Sequence, residues 1–188
     1  MLIRALFITL FTFLVTFPVF AESDAEADQA ALKALLASDV VSKFHNSAYG
    51  YAIFPTIGKG GIGIGGAGGT GCVFAAGEHT GNISMGQVTI GFQLGGQAYS
   101  QLILFQNADT YKEFTKGNFE FGADATAVAL TYGAQAGATT KGASASAGDT
   151  KGAAAWKRGM AVYTIAKGGL MYEASIGGQK FKYKPLGD

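Results

Sequence analysis

The sequence predicts an α+β domain in which an N-terminal helix packs on an antiparallel, glycine-rich β-sandwich or barrel of about eight strands, with one short internal helix. Apolar residues recur at helical spacing between Ser23 and about Ala48. Most of the chain after that shows strand patterns separated by turn residues. Nine glycines fall within the fourteen residues 58–71, and such a density is best explained by bent strands whose backbones approach closely.

Residues 1–21 have the features of a secretory signal peptide. Arg4 precedes an apolar stretch from Ala5 to Val15, and the segment 19–21 supplies small residues where a signal peptidase reads them. An uncleaved anchor is disfavoured because threonines and Pro18 interrupt an apolar run that is short for a span. We therefore expect one domain over residues 22–188 of an exported protein, periplasmic or secreted, with peripheral association with a membrane.

The charges of the mature chain balance, but they are distributed unevenly. Loss of Arg4 from the fourteen basic residues leaves thirteen, which equals the number of acidic residues. Acidic residues prevail between Glu22 and Asp39, and basic residues prevail between Lys151 and Lys184. A neutral protein with one basic end can still meet an anionic surface. We expect no nucleic-acid partner.

The predicted N-terminal helix carries one apolar stripe and an acidic polar face. Ser38 and Asp39 could cap a second, shorter helix, so we expect a kink there. Acidic rather than basic residues on the polar face favour packing on the sheet over insertion into a membrane surface. The stripe consists of Leu32, Leu35, Leu36, Val40, Val41 and Phe44.

Strand patterns then run to the end of the chain. We expect a turn over residues 77–81, a bulge or bend at Gly95 and Gly96, and a buried strand over 99–105. Asn107 is a suitable N-cap for a short helix over 108–116. A strand of small residues ends near 132, and the low-complexity tract 133–155 is expected to be a mobile excursion between strands, with an Ala-rich hairpin as the alternative.

One glycine spacing imitates a nucleotide-binding motif. Gly63, Gly65 and Gly68 match the dinucleotide fingerprint, which requires a following helix and an acidic residue about 20 residues further on. Residues 72–78 instead show the pattern of a strand that enters a turn. We therefore expect no nucleotide site.

Residues for metal binding or catalysis are scarce. His45 and His79 are the only histidines, and Cys72 is the only cysteine, which we expect to be a buried small side chain. No serine stands beside a base in a nucleophile motif, and Asp124 is expected to have a structural role. We expect neither an enzyme nor a cofactor or metal site.

The most specific candidate site is a group of lysine residues near the end of the chain. Lys180, Lys182 and Lys184 alternate with Phe181 and Tyr183, so the three ammonium groups should share one face. Three lysines near an anionic bilayer contribute ~3 kcal/mol of binding free energy. This raises partitioning onto the bilayer by little more than a hundredfold. The alternative is that these lysines protect an edge strand against aggregation. A stronger lipid-headgroup patch would also need Lys59, Lys157, Arg158 and Lys167.

The chain resembles the SYLF domain family, also called the Ysc84-type actin-binding domain. The resemblance rests on the blocks A-x-G-Y-A-I-F-P (48–55), G-K-G-G-I-G-I-G-G-A-G-G-T-G (58–71), I-G-F-Q-L-G-G-Q (90–97), F-x-F-G-A-D-A (119–125) and A-K-G-G-L (166–170). It implies a lipid-binding module, since eukaryotic members are associated with phosphoinositide membranes and yeast members also with actin filaments. The segment 130–133 and the turn 166–169 depart from the family pattern.

An exported protein would ordinarily meet neither actin nor phosphoinositides, so the expectation is restricted to anionic phospholipid surfaces. A protein-interaction or scaffold module is the alternative, and salt should separate the two because headgroup binding weakens as ionic strength rises. An outer-membrane β-barrel is less favoured, because an acidic helix precedes the strands and regular outward-apolar strands are absent.

Overall fold

The computed structural model describes residues 24–121, 130–131 and 156–187. The predicted signal peptide, Asp124 and the low-complexity tract 133–155 lie outside the described residues.

Two helices open the fold, separated by a break where the sequence predicts a kink. Helix α1 spans Ala25–Leu36 and helix α2 spans Asp39–Ser47. The Asp24 carboxylate caps α1 by accepting a hydrogen bond of 3.0 Å from the backbone N–H of Glu26. The predicted apolar stripe faces the sheet, since Leu35 and Val41 are buried.

Five strands and a third helix follow: β1 (Gly50–Ala75), β2 (Glu78–Phe105), α3 (Ala108–Phe114), β3 (Asn118–Phe121), β4 (Leu130–Thr131) and β5 (Met160–Pro185). The strand order is β1-β2-β5-β3, and the short β4 pairs with β5 in parallel. All other pairings are antiparallel. The predicted α+β class with N-terminal helices on an antiparallel sheet is confirmed.

The predicted count of about eight strands is not confirmed, because the described residues form five. Strands β1, β2 and β5 are 26, 28 and 26 residues long, and each continues through glycine-rich segments that resemble turns in the sequence. The hairpin between β1 and β2 turns at Ala76 and Gly77, with φ of 51° and 86°. The observed turn therefore begins at Ala76, one residue before the predicted range of 77–81, and β2 already starts at Glu78. Over the described residues the sheet does not close on itself.

Strand β1 doubles back on itself, and the glycines allow it to do so. Gly63 adopts a φ of 72°. The pairing of β1 with β2 shifts register here, because the single residue Gly63 of β1 lies across from three residues of β2, 91–93. A Cβ at Gly71 would overlap the carbonyl oxygen of Ile53, and a Cβ at Gly69 would lie 2.6 Å from the carbonyl oxygen of Thr56. The two halves of β1 therefore pack backbone against backbone, which only hydrogen side chains permit.

The other long strands bend at the same level, so the sheet forms two facing leaves. Gln101 of β2 donates a hydrogen bond of 3.3 Å to Gln179 of β5, although the strand register places Gln101 opposite Thr164. We call one half of the folded sheet the helix leaf, comprising residues 50–62, 94–105 and 160–172. The other half is the lysine leaf, comprising residues 64–75, 78–90 and 176–185.

The main core lies between the leaves. Phe54 and Ile103 from the helix leaf meet Met85 and Phe181 from the lysine leaf. Helix α3 adds Phe114, whose ring lies 5.2 Å from that of Phe181. A second apolar cluster lies beneath α1 and α2 and includes Leu35, Val41, Ile53, Cys72, Leu104 and Tyr163. Cys72 is buried, as predicted.

The capping prediction for the internal helix is confirmed. Asn107 Oδ1 accepts hydrogen bonds from the backbone N–H and the hydroxyl of Thr110, at 2.9 and 3.0 Å. The α-helix ends at Phe114, two residues before the predicted end. Tyr111 and Phe114 face inward, as predicted.

Replacing Tyr163 by phenylalanine is expected to stabilise the protein by ~1 kcal/mol. Within the described residues the buried hydroxyl of Tyr163 has no hydrogen-bond partner, and a buried unsatisfied polar group is costly. Burial raises the pKa of Tyr163 to about 12, so stability should fall above pH 10, where only the unfolded phenol ionises readily. Urea denaturation at pH 7 and pH 11 checks both points. A Tyr163→Phe variant that is less stable than the wild type at pH 7 would contradict the expectation.

Candidate functional site

The candidate site begins with the three alternating lysines near the end of β5. Lys180, Lys182 and Lys184 are exposed on the outer face of the lysine leaf, whereas Phe181 is 2% exposed and packs between the leaves. At about 3.3 Å per residue, roughly 13 Å separates the first lysine from the last along the strand. The predicted shared face is therefore present. We call these three residues the lysine row.

The residues between the lysines fix the position of the row. Phe181 contacts Phe54 and Phe114, with ring centroids 5.8 and 5.2 Å apart. The Tyr183 hydroxyl donates a hydrogen bond of 2.8 Å to the carbonyl oxygen of Thr80. Burial raises the pKa of Tyr183, so this phenol remains a neutral donor. The ammonium groups consequently project from a well-anchored strand.

Edge protection does not explain Lys180 and Lys182, because β5 is not an edge strand there. Strand β2 lies on one side of β5, and β3 lies on the other, with Glu120 opposite Lys180. The Lys180 ammonium lies 3.5 Å from the Glu120 carboxylate, and both side chains are more than half exposed. An exposed ion pair of this kind is weak. It offsets part of the positive charge of the row.

The other four predicted cations do not extend the lysine row. Lys157 and Arg158 lie in the tight turn before β5, at the end of the strand opposite to the row. Lys167 is on the helix leaf, where its ammonium donates a hydrogen bond of 3.0 Å to the Thr56 hydroxyl. Lys59 is half-buried on the helix leaf, opposite Gln97. Lys59 and Lys167 thus lie within the strands β1 and β5 of the helix leaf.

Three exposed aliphatic side chains lie at the bend of the folded sheet. Ile62 is 81% exposed, Ile64 is 68% exposed and Val88 is 61% exposed. Ile62 and Ile64 flank the turning point of β1 at Gly63. Large aliphatic residues so fully exposed on neighbouring strands form a patch of the kind that marks interaction sites. We call these three residues the bend ridge.

The bend ridge and the lysine row are continuous on the outer face of the lysine leaf. Val88 lies opposite Gly178 of β5, and the next outward position on β5 is Lys180. The neighbouring outward positions at Gly66, Gly68 and Gly86 carry no side chain. A flat ligand surface could therefore touch apolar and cationic groups at once.

Sequence reasoning did not identify the bend ridge as part of a site. Apolar residues in strand patterns are ordinarily assigned to the core, so the pattern predicted no site role for Ile62, Ile64 or Val88. The available indication was that Ile62 and Ile64 are each flanked on both sides by glycines, which leave no neighbouring side chains to cover them.

The described residues offer no metal centre, since no group of three or more His, Cys, Asp or Glu side chains within them could hold an ion. His79 lies against Phe74, with ring centroids 5.1 Å apart, and His45 packs 5.1 Å from Tyr51. Burial lowers the pKa of His45. Both imidazoles therefore have packing roles in this part of the chain.

None of the helices in the described part of the chain combines the length and apolar character that crossing a membrane requires.

Comparison with known proteins identifies a family match. The family model described as Ysc84, Las17-binding protein actin regulator, matches residues 86–184. This range includes most of β2, all of α3 and β3, and the lysine row on β5. No curated protein and no solved structure matches the chain.

Proposed function

Since the chain belongs to the Ysc84 family, a family of binding domains whose model matches more than half of it, we propose that it attaches, without catalysis, to anionic phospholipid surfaces. The attachment surface is the outer face of the lysine leaf together with the bend. The observation that carries the proposal is the continuity of the exposed bend ridge with the lysine row.

The lysine row and the bend ridge contribute comparable free energies to membrane binding. The lysine row contributes ~3 kcal/mol against an anionic bilayer, less the share that Glu120 offsets. Burial of each ridge side chain in the interface contributes roughly 1–2 kcal/mol. The lysines alone would bind weakly, and the aliphatic side chains alone would not distinguish anionic from neutral lipid. Together they give both affinity and charge selectivity.

Co-sedimentation of residues 22–188 with vesicles tests the proposal. We expect binding to vesicles of phosphatidylcholine and phosphatidylglycerol in equal parts, and little binding to phosphatidylcholine alone. Raising the salt to about 1 M, where the Debye length is about 3 Å, should weaken binding without abolishing it, because the ridge contribution is not screened. Equal binding to both vesicle types at low salt would contradict the proposal.

Replacing both isoleucines of the ridge is expected to reduce partitioning onto anionic vesicles roughly 30- to 150-fold, because Ile62→Ser with Ile64→Ser removes roughly 2–3 kcal/mol of apolar burial. Leu186→Ser is the matched control, since Leu186 is 51% exposed but lies beyond β5. Co-sedimentation measures both variants. An equal loss in the control, or none in the double variant, would remove the ridge from the surface.

A protein partner is the second candidate function, because the family description names Las17 binding and actin regulation. The bend ridge is the observation that favours it, since exposed aliphatic side chains also suit a protein interface. Such a partner would bind without vesicles and with little dependence on salt. Binding that requires anionic lipid and weakens with salt would favour the membrane instead.

The proposed setting is outside the cytoplasm, on an anionic membrane leaflet that the exported protein would meet. N-terminal sequencing of the protein from its native source tests the signal peptide. Glu22 is the expected first residue, and a chain that retains residues 1–21 would contradict the proposal.

A further inference from the structure

A cavity of about 420 Å³ lies between α1 and the strands β1 and β2. Its volume is within the range of small-molecule sites, which are mostly apolar with a few polar groups. Leu32 and Ile53 line its apolar side, and Cys72 and Asn82 line it on the lysine leaf. At about 3.3 Å per residue, roughly 20 Å of β2 separates Asn82 from Val88 of the bend ridge. The cavity is therefore separate from the bend ridge.

The cavity reaches the outer face of the lysine leaf beside the lysine row. Cys72 of β1 lies opposite Asn82 of β2, and Asn82 lies opposite Lys184 of β5. Directly opposed side chains share one face of a sheet, with Cβ atoms roughly 5 Å apart. The Cys72 thiol donates a hydrogen bond of 3.6 Å to Asn82 Oδ1. Lys184, which is exposed, is therefore the member of the lysine row nearest to the cavity.

The apolar surface that the cavity offers is aliphatic rather than aromatic. Tyr51 and His79 cover the faces of Phe74, with ring centroids 4.8 and 5.1 Å away. This stacking leaves little ring surface for an aromatic ligand. Leu32 and Ile53 instead supply branched aliphatic side chains. Such a lining suits a flexible alkyl chain, for which each buried methylene group raises affinity roughly fourfold.

The position of Asp28 determines which end of an amphiphile can lie inside. Asp28 is 5% exposed and belongs to the α1 side of the lining. It already interacts within the protein, so it does not require a cation from a ligand. Its carboxylate repels an anionic headgroup, whereas the ammonium group of Lys184 attracts one. An anionic amphiphile would therefore place its headgroup at Lys184 and its chain toward α1.

We propose that the cavity takes up the alkyl chain of a single-chain anionic amphiphile, a fatty-acid-type carboxylate, with the headgroup at Lys184 and the chain between Leu32 and Ile53. The proposal deepens the proposed membrane function and rests on it in one respect, the use of Lys184 as an anion-binding group. The ligand is a free amphiphile rather than a bilayer phospholipid, because a phospholipid would bring a second chain to a cavity near the lower end of the usual volume range.

Calorimetric titration without vesicles tests the proposal. Decanoate and decyltrimethylammonium have alkyl chains of equal length and opposite charges. Below their micelle concentrations, we expect decanoate to bind about tenfold more tightly, because only decanoate can accept a hydrogen bond from Lys184. Octanoate, which is two methylene groups shorter, should bind roughly 15-fold more weakly than decanoate. Equal affinity of decanoate and either other probe, or no binding of decanoate, would overturn the proposal.

Two lysine variants locate the headgroup. Lys184→Gln should weaken decanoate binding about tenfold. Lys180→Gln is the matched control, because Lys180 is equally part of the lysine row but lies opposite Gly86, roughly 13 Å along β5 from Lys184. The control should bind decanoate like the wild type. Equal affinities of the two variants would overturn the placement of the headgroup at Lys184.

Alkylation of Cys72 locates the chain in the wild type. Cys72 lines the cavity and is the only cysteine, so saturating decanoate should slow its reaction with iodoacetamide severalfold. An unchanged rate would overturn the proposal, because the chain would then lie outside the cavity.

The double variant Ile62→Ser with Ile64→Ser separates this inference from membrane attachment. It should bind decanoate like the wild type while losing affinity for anionic vesicles. Decanoate binding without any vesicle binding by the wild type would contradict membrane attachment alone. Vesicle binding by a wild type that does not bind decanoate would overturn the cavity proposal alone.

Discussion

The Gly71→Ala variant is expected to lose about 3 kcal/mol or more of its free energy of unfolding. The added methyl group would overlap the carbonyl oxygen of Ile53, and it would lie 2.8 Å from the carbonyl carbon of Ile53 and 3.1 Å from Phe54 Cα. These are backbone atoms of the opposing half of β1, so no rotamer change can relieve the contact, and the cost should reach the upper end for overpacking. Urea denaturation measures it as a lower transition midpoint.

Gly58→Ala is the matched control for the same strand. A Cβ at Gly58 meets no atom within 4 Å, so the variant should stay within about 0.5 kcal/mol of the wild type. Equal stability of the Gly71 and Gly58 variants would show that β1 is not folded back on itself.

Reversing the charges of the lysine row is expected to remove binding to anionic vesicles. The Lys180→Glu, Lys182→Glu and Lys184→Glu changes together eliminate ~3 kcal/mol of attraction and add a repulsion of similar size. Partitioning should therefore fall on the order of 10⁴-fold. Co-sedimentation at low salt, where screening is weakest, measures the loss.

A charge-matched control distinguishes the effect of the lysine row from the effect of the protein's net charge. Lys33, Lys43 and Lys112 are exposed on the three helices, and their reversal changes the protein's charge by the same amount. We expect this control to retain most of the binding. Similar losses in the two triple variants would mean that overall charge, rather than the lysine row, determines attachment.

The local features of the fold could be predicted from the sequence because their causes are local. Asn107 caps α3 through atoms three residues away. The helix break falls at Ser38 as the sequence predicts, although the Ser38 hydroxyl makes no capping hydrogen bond to α2. The alternation of Phe181 with its lysine neighbours required only the two-residue period of a strand.

The doubling back of the sheet could not be predicted in the same way, because it depends on contacts between distant backbone segments. The glycine pattern indicated close approach at Gly71, but nothing in the sequence identified Ile53 as the partner. The glycines of residues 58–71 predicted bent strands, and β1 continues through all of them as one strand. The predicted count of about eight strands is therefore not confirmed over the described residues.

The candidate site was predicted in part for similar reasons. The lysine row follows from the two-residue period of a strand alone. Strand β3, which pairs beside the row on β5, is only four residues long, and its pairing partner was not apparent from the sequence. The exposure of Ile62 and Val88 depends on where the bend falls, which is a property of the whole sheet.

Membrane contact at the bend is tested most directly by an environment-sensitive fluorophore on Ile62→Cys in a Cys72→Ala background. The same label on Lys43→Cys, an exposed position on α2, provides the reference. With anionic vesicles, emission from position 62 should shift to the blue and be quenched by lipids brominated in their acyl chains, while position 43 should stay unchanged. Vesicle binding that leaves the label at position 62 in water, or that buries position 43 instead, would contradict attachment through the bend.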